Sequence, residues 1–217
     1  MMRCDAVRRL GTMIVSAVIV GLVATAPVDA ESRPGIAPSN EDVVIPVAIG
    51  RVGDVFLLRG FGDVFSRGLD DIAATLNHQG IDAEVTNYNL WRSVALEIID
   101  RQRRSGPKPV VLVGHSQGAN AVIQVAGFLK REHITVQYMA IFAATGPDPV
   151  PSNVRRVDNF YFATNGWGEP LTGAQGFSGT LSNRDYSTAD GIGHFNIDKQ
   201  PEIQREVLAN IIRYVQP

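Results

Sequence analysis

Gly114-His115-Ser116-Gln117-Gly118 follows the apolar run Pro109-Val110-Val111-Leu112-Val113 and opens a segment with helical periodicity. This context places a G-x-S-x-G sequence at a strand-to-helix turn. Small residues are needed beside the serine, because the turn is so tight that ordinary side chains would collide. The turn lifts the Ser116 hydroxyl clear of the sheet edge and directs the N–H of Gln117 toward an oxyanion. The stretch therefore predicts a serine nucleophile.

The residues after Ser116 predict a helix packed on a sheet. Small or apolar side chains recur at helical spacing on one face, at Ala119, Val122, Ile123 and Ala126. His115 precedes the nucleophile directly, but neighbours on a sharp turn point apart. We therefore expect His115 to pack beneath the turn and not to act as the base.

Strand-like and helix-like segments alternate along the chain from Val43 onward. This alternation is typical of a mostly parallel sheet with helices on both faces, an α/β fold. Besides the strand before the serine, strands are predicted over Val52–Leu58, Ala83–Tyr88, Val136–Ala144 and Asn159–Thr164. The other helices are predicted from Leu69 to a stop at Gly80, from Trp91 to a stop at Ser105–Pro107, and over Ile203–Val215.

The N-terminal segment reads as a secretory signal peptide. Arg3, Arg8 and Arg9 precede the apolar run Leu10–Ala26, and Val28-Asp29-Ala30 supplies small residues for cleavage. The apolar run is shorter than the roughly 20 residues that a membrane-spanning helix needs. We therefore expect cleavage after residue 30, no stable membrane span afterwards, and a periplasmic or secreted protein.

Charge and cysteine usage narrow the function classes. The chain has a net charge of −2, and removal of residues 1–30 lowers Lys+Arg from 20 to 17 and Asp+Glu from 22 to 20, or about −3. The sequence has no basic patch that would bind nucleic acid. Its single cysteine, Cys4, lies in the predicted signal peptide. We expect a flexible leader over 31–42 and one domain over 43–217, and the pattern carries no signal for an oligomeric state.

The turn around Ser116, the loop Arg59-Gly60-Phe61-Gly62 and a late histidine together resemble the α/β-hydrolase superfamily, over about residues 50–217. The resemblance implies a three-layer sandwich like that of small, lidless members, with no large cap domain. In the superfamily this loop commonly contains a His-Gly pair, and the next residue gives the second oxyanion N–H. Arg59 stands here in place of that histidine. The resemblance implies Phe61 and Gln117 as the oxyanion donors.

The Gly60-x-Gly62 loop has a second interpretation, as the start of a dinucleotide-binding unit. Phe65 stands at the third glycine position, and Asp63 would repel a pyrophosphate at the helix start. We therefore expect no nucleotide cofactor.

The base is selected from four histidines. His78 lies at a predicted helix end, His115 in the turn and His133 in a charged run, whereas His194 lies in the loop Gly191–Phe195 before the last helix. A base in that place matches the serine-first, histidine-last order of the superfamily. No two histidines have the close spacing of a zinc motif, so no metal site is predicted.

The acid that orients the base has several candidates. The usual location after the penultimate strand holds Asn165, an amide that could orient a histidine. Asp148, in Gly146-Pro147-Asp148-Pro149, is our first choice, because rigid prolines would fix its carboxylate at a strand end; the alternative is that it only forms a turn. Asp190 is too close in sequence to His194 for its carboxylate to reach the outer ring nitrogen of His194 without strain. Asp158 begins a predicted strand and would therefore lie at the wrong edge of the sheet.

These residues predict a serine hydrolase that cleaves small-molecule carboxylic esters through an acyl-enzyme. The glycine-rich loop after Asn165, with Trp167, Leu171 and Phe177, is a candidate acyl-binding wall; the alternative is that these side chains fold back onto the domain. Export favours esters over coenzyme A thioesters, and a lipase, an acylglycan esterase and a general carboxylesterase all stay open. The alternatives are an acyl thioesterase and a non-catalytic binding domain that retains the hydrolase fold.

Overall fold

A computed structural model of the chain describes residues 53–62, 64–164 and 168–216. The signal peptide predicted over 1–30, the leader over 31–42 and the start of the predicted domain lie outside the described residues. The strands are β1 (Asp54–Arg59), β2 (Ala83–Asn87), β3 (Val110–His115), β4 (Val136–Phe142), β5 (Arg156–Tyr161) and β6 (Thr180–Asp185). The helices are α1 (Gly68–His78), α2 (Trp91–Ser105), α3 (Gln117–Arg131) and α4 (Pro201–Val215), with short 3₁₀ turns at Tyr88–Leu90 and Ile197–Lys199.

The strands form one parallel sheet in the order β2-β1-β3-β4-β5-β6. The chain moves outward from β1 to β2, then returns through α2 to β3 on the other side of β1. The strand order therefore reverses between β1 and β3. Loops that leave the carboxyl ends of two such strands diverge and open a crevice, which is where parallel sheets bind ligands.

The sheet is covered on both faces. Helices α2 and α3 pack on one face and α1 and α4 on the other. Alternate residues of β1 divide between the two cores, Phe56 and Leu58 on the α2–α3 side and Val55 and Leu57 on the α1–α4 side. A strand covered on both faces must be apolar at successive positions, and this explains the continuous apolar runs of β1 and β3.

Most of the predicted elements are confirmed, within one or two residues at their ends. The helix predicted after the serine is α3, and its four predicted core residues are buried. In the C-terminal helix Ile203, Val207, Ile211 and Val215 are buried. In the described ranges, the loops between strands carry no inserted cap domain, and no helix is both long and apolar enough to cross a bilayer.

Two strand predictions need correction. The strand predicted over Asn159–Thr164 begins earlier, at Arg156, because two ionic residues at its start are paired and so can enter the sheet. Asp158 therefore lies inside β5 and does not begin it. Strand β6 was not predicted, since its sequence, Thr-Leu-Ser-Asn-Arg-Asp, is polar. It lies at the sheet edge, where the burial that produces an apolar pattern is incomplete.

Candidate active site

Ser116 occupies the turn between β3 and α3. Its backbone has φ 57° and ψ −121°, a conformation that side-chain-bearing residues rarely adopt. Its N–H donates a hydrogen bond of 2.8 Å to the Phe142 carbonyl at the end of β4. A Cβ on Gly118 would lie 1.9 Å from the Leu58 carbonyl oxygen, and one on Gly114 would lie 2.4 Å from the Gly118 oxygen. Both glycines are therefore required by close backbone contacts in the turn.

His194 lies beside the nucleophile. Its Nε2 is 3.1 Å from Ser116 Oγ, and its side chain is buried. The loop that carries it is tied together locally: the Gly193 N–H donates to Asn196 Oδ1 at 2.7 Å, and Asn196 Nδ2 donates to the Gly191 carbonyl at 2.9 Å. With a neutral imidazole, the serine hydroxyl can donate to Nε2, which is the arrangement that a general base needs.

A buried hydrogen-bond chain runs behind this pair. The Gly60 N–H donates to Ser66 Oγ at 3.0 Å, and Ser66 Oγ is 2.8 Å from His115 Nδ1. His115 Nε2 lies 2.7 Å from the His194 carbonyl oxygen. Because a carbonyl can only accept, Nε2 carries the proton and Nδ1 accepts from the Ser66 hydroxyl. Burial lowers the pKa of His115 to about 4, so the ring is neutral at pH 7. His115 thus lies beneath the turn, where we expected it.

The loop after β1 approaches the nucleophile closely. A Cβ on Gly60 would lie 3.0 Å from both Ser116 Cβ and the His115 carbonyl oxygen. Phe61 and Gln117, whose N–H groups are the predicted oxyanion donors, line the same cavity as the serine. Arg59, at the end of β1, pairs with Asp70 of α1.

This catalytic cavity has a volume of about 260 Å³ and an apolar rim. The rim side chains are unusually exposed for aromatic residues: Phe61 by 77%, and Phe65 and Phe195 by 49% each. The rings of Phe65 and Phe195 are in contact, with centroids 4.7 Å apart. The cavity is lined by Gly60, Phe61, Phe65, Ser66, His115, Ser116, Gln117, Thr145, His194 and Phe195.

The candidate acids lie in different places. Asp148 is exposed and lines a neighbouring cavity, and Asp190 is exposed in the loop after β6. Asp158 is buried and held by structural partners, with the Tyr138 hydroxyl donating at 2.9 Å and Arg156 pairing at 2.9 Å. Asn165 lies outside the described residues, as does Trp167 of the predicted acyl-binding wall. Leu171 is buried in the core on the α2–α3 side and Phe177 packs against that core, so these two side chains do not form the predicted wall. The identity of the acid stays a prediction.

A further buried carboxylate lies just after the histidine loop and was missed by the sequence analysis. Asp198 Oδ2 accepts a hydrogen bond of 2.8 Å from the Gly68 N–H at the start of α1. A Cβ on Gly68 would lie 2.1 Å from the Asp198 carbonyl oxygen, so the two segments are in backbone contact. Burial raises the pKa of Asp198 to about 6. Asp198 links the segment that follows His194 to the helix that follows the oxyanion loop.

In the part of the chain that the structure describes, no group of three or more His, Cys, Asp or Glu side chains is placed to hold a metal ion.

Comparison with known proteins gives structural neighbours only. No family model and no curated protein matches the chain. The lin2722 gene product of Listeria innocua is similar in structure, with a TM-score of 0.52 at 11% identity, over 71% of this chain and 92% of that one. A candidate hydrolase of the alpha/beta superfamily from Xanthomonas campestris has a TM-score of 0.42 at 18% identity, over 74% and 98%. The type II thioesterase YbtT of yersiniabactin biosynthesis has a TM-score of 0.40 at 11% identity, over 78% and 95%.

At these identities a structural likeness concerns the fold alone, and the Listeria protein is the one of the three with a TM-score above 0.5. The predicted fold class, a parallel sheet covered by helices on both faces, is confirmed.

Proposed function

We propose, on the premise that this chain has the α/β-hydrolase fold, that it is a serine hydrolase that cleaves carboxylic esters. The observation that carries the proposal is the distance of 3.1 Å between His194 Nε2 and Ser116 Oγ, at a turn whose backbone is strained. Strained backbone is retained where the surrounding structure enforces it, and it concentrates at functional sites.

The reaction proceeds in two halves. His194 Nε2 takes the Ser116 proton while Oγ forms a bond to the carbonyl carbon of the ester. The N–H groups of Phe61 and Gln117 stabilise the oxyanion, the C–O bond to the alcohol breaks, and His194 returns the proton to the departing alcohol. Water then attacks the acyl-enzyme by the same route and releases a free acid.

The rim of the catalytic cavity supports an acyl substrate. Exposed aromatic side chains beside a nucleophile offer apolar surface that a hydrocarbon chain can cover, and each buried methylene group contributes about 0.8 kcal/mol. Phe61, Phe65 and Phe195 are placed to make this contact. We therefore propose esters of medium or long acyl chains as substrates.

The experiment is hydrolysis of p-nitrophenyl esters of increasing chain length by the protein and by Ser116→Ala, with a fluorophosphonate probe as a second readout. We expect turnover and probe labelling that both disappear in the variant. Thioesters of the same acyl groups, measured in parallel, separate an esterase from a thioesterase. Equal inertness of both proteins, together with no labelling of Ser116, would identify a non-catalytic binding domain.

Two residues are candidates for orienting His194 in this mechanism. Asp148 is the carboxylate that we selected from the sequence, and Asn165 occupies the usual position of the triad acid, after the penultimate predicted strand. Asp148→Ala and Asn165→Ala should differ sharply in kcat. Only one of the two residues can orient His194, and loss of the orienting residue in such triads lowers kcat by about 10⁴-fold. Equal, small effects of both would remove them from the mechanism.

We also propose that the protein is exported. The support is the sequence of residues 1–30, with its arginines, apolar run and small residues before the cleavage point. N-terminal sequencing of the protein recovered from periplasm or medium should begin at Glu31. Recovery of the intact N-terminus from the cytoplasm would overturn the proposal.

A further inference from the structure

A second cavity, which we call the polar groove, adjoins the catalytic cavity. It has a volume of about 390 Å³, within the range of small-molecule sites. Its walls come from the segment that joins β2 to α2, from the first turns of α3 and from the loop after β4, all at the carboxyl edge of the sheet. It is lined by Tyr88, Asn89, Trp91, Gln117, Asn120, Ala121, Gln124, Gly146 and Asp148.

The polar groove lies next to the catalytic cavity. Gln117, the residue after the nucleophile, lines both. Thr145 lines the catalytic cavity and its neighbour Gly146 lines the groove. Asn120 Nδ2 donates a hydrogen bond of 2.6 Å to the Thr145 carbonyl, and Gln117 Nε2 donates one of 3.3 Å to Thr145 Oγ1. The two cavities are therefore neighbours with Gln117 as a common wall, and a ligand that occupies both would pass beside this side chain.

The groove and the aromatic rim differ in chemistry. Four side-chain amides line the groove, and each can both donate and accept, which matches the hydrogen-bonding capacity of a hydroxyl group. Asn120 Oδ1 is buried and has no hydrogen-bond partner among the described residues, so it is an acceptor that a ligand could satisfy. The aromatic residues Tyr88 and Trp91 add apolar surface, and the Arg92 guanidinium lies 5.1 Å from the Trp91 ring centroid and helps to fix it.

The charge of the groove argues against an anionic ligand. None of the residues that line it is Lys or Arg, and Asp148 is a carboxylate. A phosphate or sulfate group would meet a negative charge without a cation among the lining residues. A neutral polyol meets amides that satisfy its hydroxyl groups and aromatic carbon that packs against its C–H groups.

We propose that the polar groove binds a sugar and that the substrate is an acylated sugar, with the acyl chain on the aromatic rim and the sugar as the leaving alcohol. This inference rests on the proposed function, since it assigns the two sides of one ester to two adjacent surfaces. Ser116 lines the catalytic cavity and the next residue, Gln117, lines both surfaces, so an ester whose carbonyl lies at Ser116 can extend its alcohol toward the groove. A hexose presents hydroxyl groups around a C–H face, and the groove combines amides with aromatic rings.

The kinetic test compares octanoyl esters of glucose, glycerol and ethanol, which share one acyl group. We expect kcat/KM for the glucose ester to exceed that for the ethyl ester by about tenfold or more, the ratio that one or two retained hydrogen bonds produce. Asn89→Ala and Gln124→Ala should lower the glucose value several-fold and leave the ethyl value unchanged. Gln79→Ala, an exposed glutamine at the end of α1, is the matched control.

A binding measurement separates this inference from the proposed function. Methyl glucoside titrated into the Ser116→Ala protein should shift the side-chain amide NMR signals of Asn89 and Gln124. Such shifts, together with a wild-type protein that cleaves no ester, would support the groove and overturn the esterase. Ester cleavage with equal rates for all three alcohols and no NMR shifts would overturn the groove. Equal preference for the glycerol and glucose esters over the ethyl ester would overturn the sugar assignment.

Discussion

His115 Nε2 donates a hydrogen bond of 2.7 Å to the backbone carbonyl of His194, so the residue before Ser116 holds the loop that carries His194. The same ring accepts from Ser66 through Nδ1, and Ser66 in turn accepts from the Gly60 N–H of the oxyanion loop. One buried imidazole therefore connects the segments that carry Ser116, His194 and Gly60. In the proposed mechanism His115 is a positioning residue, because it acts through these neighbours.

The first prediction concerns Ser66→Ala. The substitution leaves His115 Nδ1 and the Gly60 N–H buried without partners, and each such loss costs about 1–3 kcal/mol. We expect the free energy of unfolding to fall by about 2–6 kcal/mol in urea titrations, the sum of the two losses, and kcat to fall with little change in KM. Ser93→Ala, at an exposed position of α2, should change neither quantity. An unchanged kcat with reduced stability would limit the network to a structural role.

The second prediction concerns the pH dependence of stability. The unfolded protein protonates His115 near pH 6.5, whereas the folded protein does so only near its lowered pKa of about 4. Between these values the unfolded state binds more protons, so stability falls by about 3 kcal/mol as the pH drops through this window. His115→Gln lacks this titration. The stability advantage of the wild type over the variant should therefore shrink by about 3 kcal/mol from pH 7 to pH 4. A constant difference would show that His115 is not buried as a neutral ring.

The third prediction concerns Asp198, whose pKa shift has the opposite sign. Its folded pKa of about 6 lies above its ordinary value of 3.8, so the folded state binds the extra proton between these values. Stability therefore falls as the pH rises from about 3.8 to about 6, where the unfolded protein has ionised Asp198 and the folded protein has not. Asp198→Asn retains an acceptor for the Gly68 N–H and should raise the free energy of unfolding by about 3 kcal/mol at pH 8, with little gain near pH 3.8.

Asp190→Asn, an exposed carboxylate in the loop after β6, is the matched control, and surface changes of this kind stay within about 0.5 kcal/mol. A loss of stability in Asp198→Asn at pH 8 would show that the charge itself stabilises α1. The His115 and Asp198 effects oppose each other between pH 4 and 6. The wild-type curve alone can therefore look flat, and the single variants are needed to resolve them.

Local apolar periodicity was enough to predict the elements that position the nucleophile. The apolar run before Ser116 and the helical spacing of apolar residues after it predicted β3 and α3. A buried strand or helix face requires apolar residues at nearby positions of the same segment, so the sequence of that segment shows it directly. Strand β6 left no such signal, since an edge strand is not buried on all sides. The sequence also misplaced Asp158, because a paired carboxylate in a strand looks like a strand end.

The hydrogen bonds behind Ser116 and His194 could not be predicted from the sequence. Ser66 and His115 are 49 residues apart, and His115 and His194 are 79 apart. Their contacts exist only after the sheet has brought the loops after β1, β3 and β6 to one edge. The family resemblance indicated the nucleophile and the base but carried no information about Ser66 or Asp198. Tertiary contacts of single polar residues have no periodicity that a sequence could show.

The fourth prediction concerns chain-length preference. Phe65→Ala removes part of the aromatic rim, a loss of about 1–2 kcal/mol of apolar contact with a long acyl chain. We expect kcat/KM for the p-nitrophenyl octanoate to fall by about 5–30-fold and that for the acetate to stay within twofold. Leu96→Ala removes a similarly exposed apolar side chain from α2 and should affect neither ester. Equal losses on acetate and octanoate would place Phe65 in catalysis and not in acyl binding.

The fifth prediction compares two glycines of one helix, Gly118 and Gly127. A Cβ on Gly118 would lie 1.9 Å from the Leu58 carbonyl oxygen of β1, which cannot move without breaking the sheet. A Cβ on Gly127 would meet only Pro151 Cγ, at 3.8 Å, an ordinary contact. Gly127→Ala should therefore stabilise the fold by up to about 1 kcal/mol, the helix propensity gained, whereas Gly118→Ala should cost more than about 3 kcal/mol.

Thermal unfolding of the two variants measures this difference in stability directly. Labelling of Ser116 by the fluorophosphonate probe, in each variant that folds, shows whether the turn still presents the serine. Because both substitutions add the same methyl group to α3, helix propensity cancels from the comparison and the contact with β1 remains. A Gly118→Ala protein as stable as Gly127→Ala would mean that α3 can shift away from β1. In that case the second glycine of the G-x-S-x-G sequence would be needed for the reaction and not for the packing of the turn.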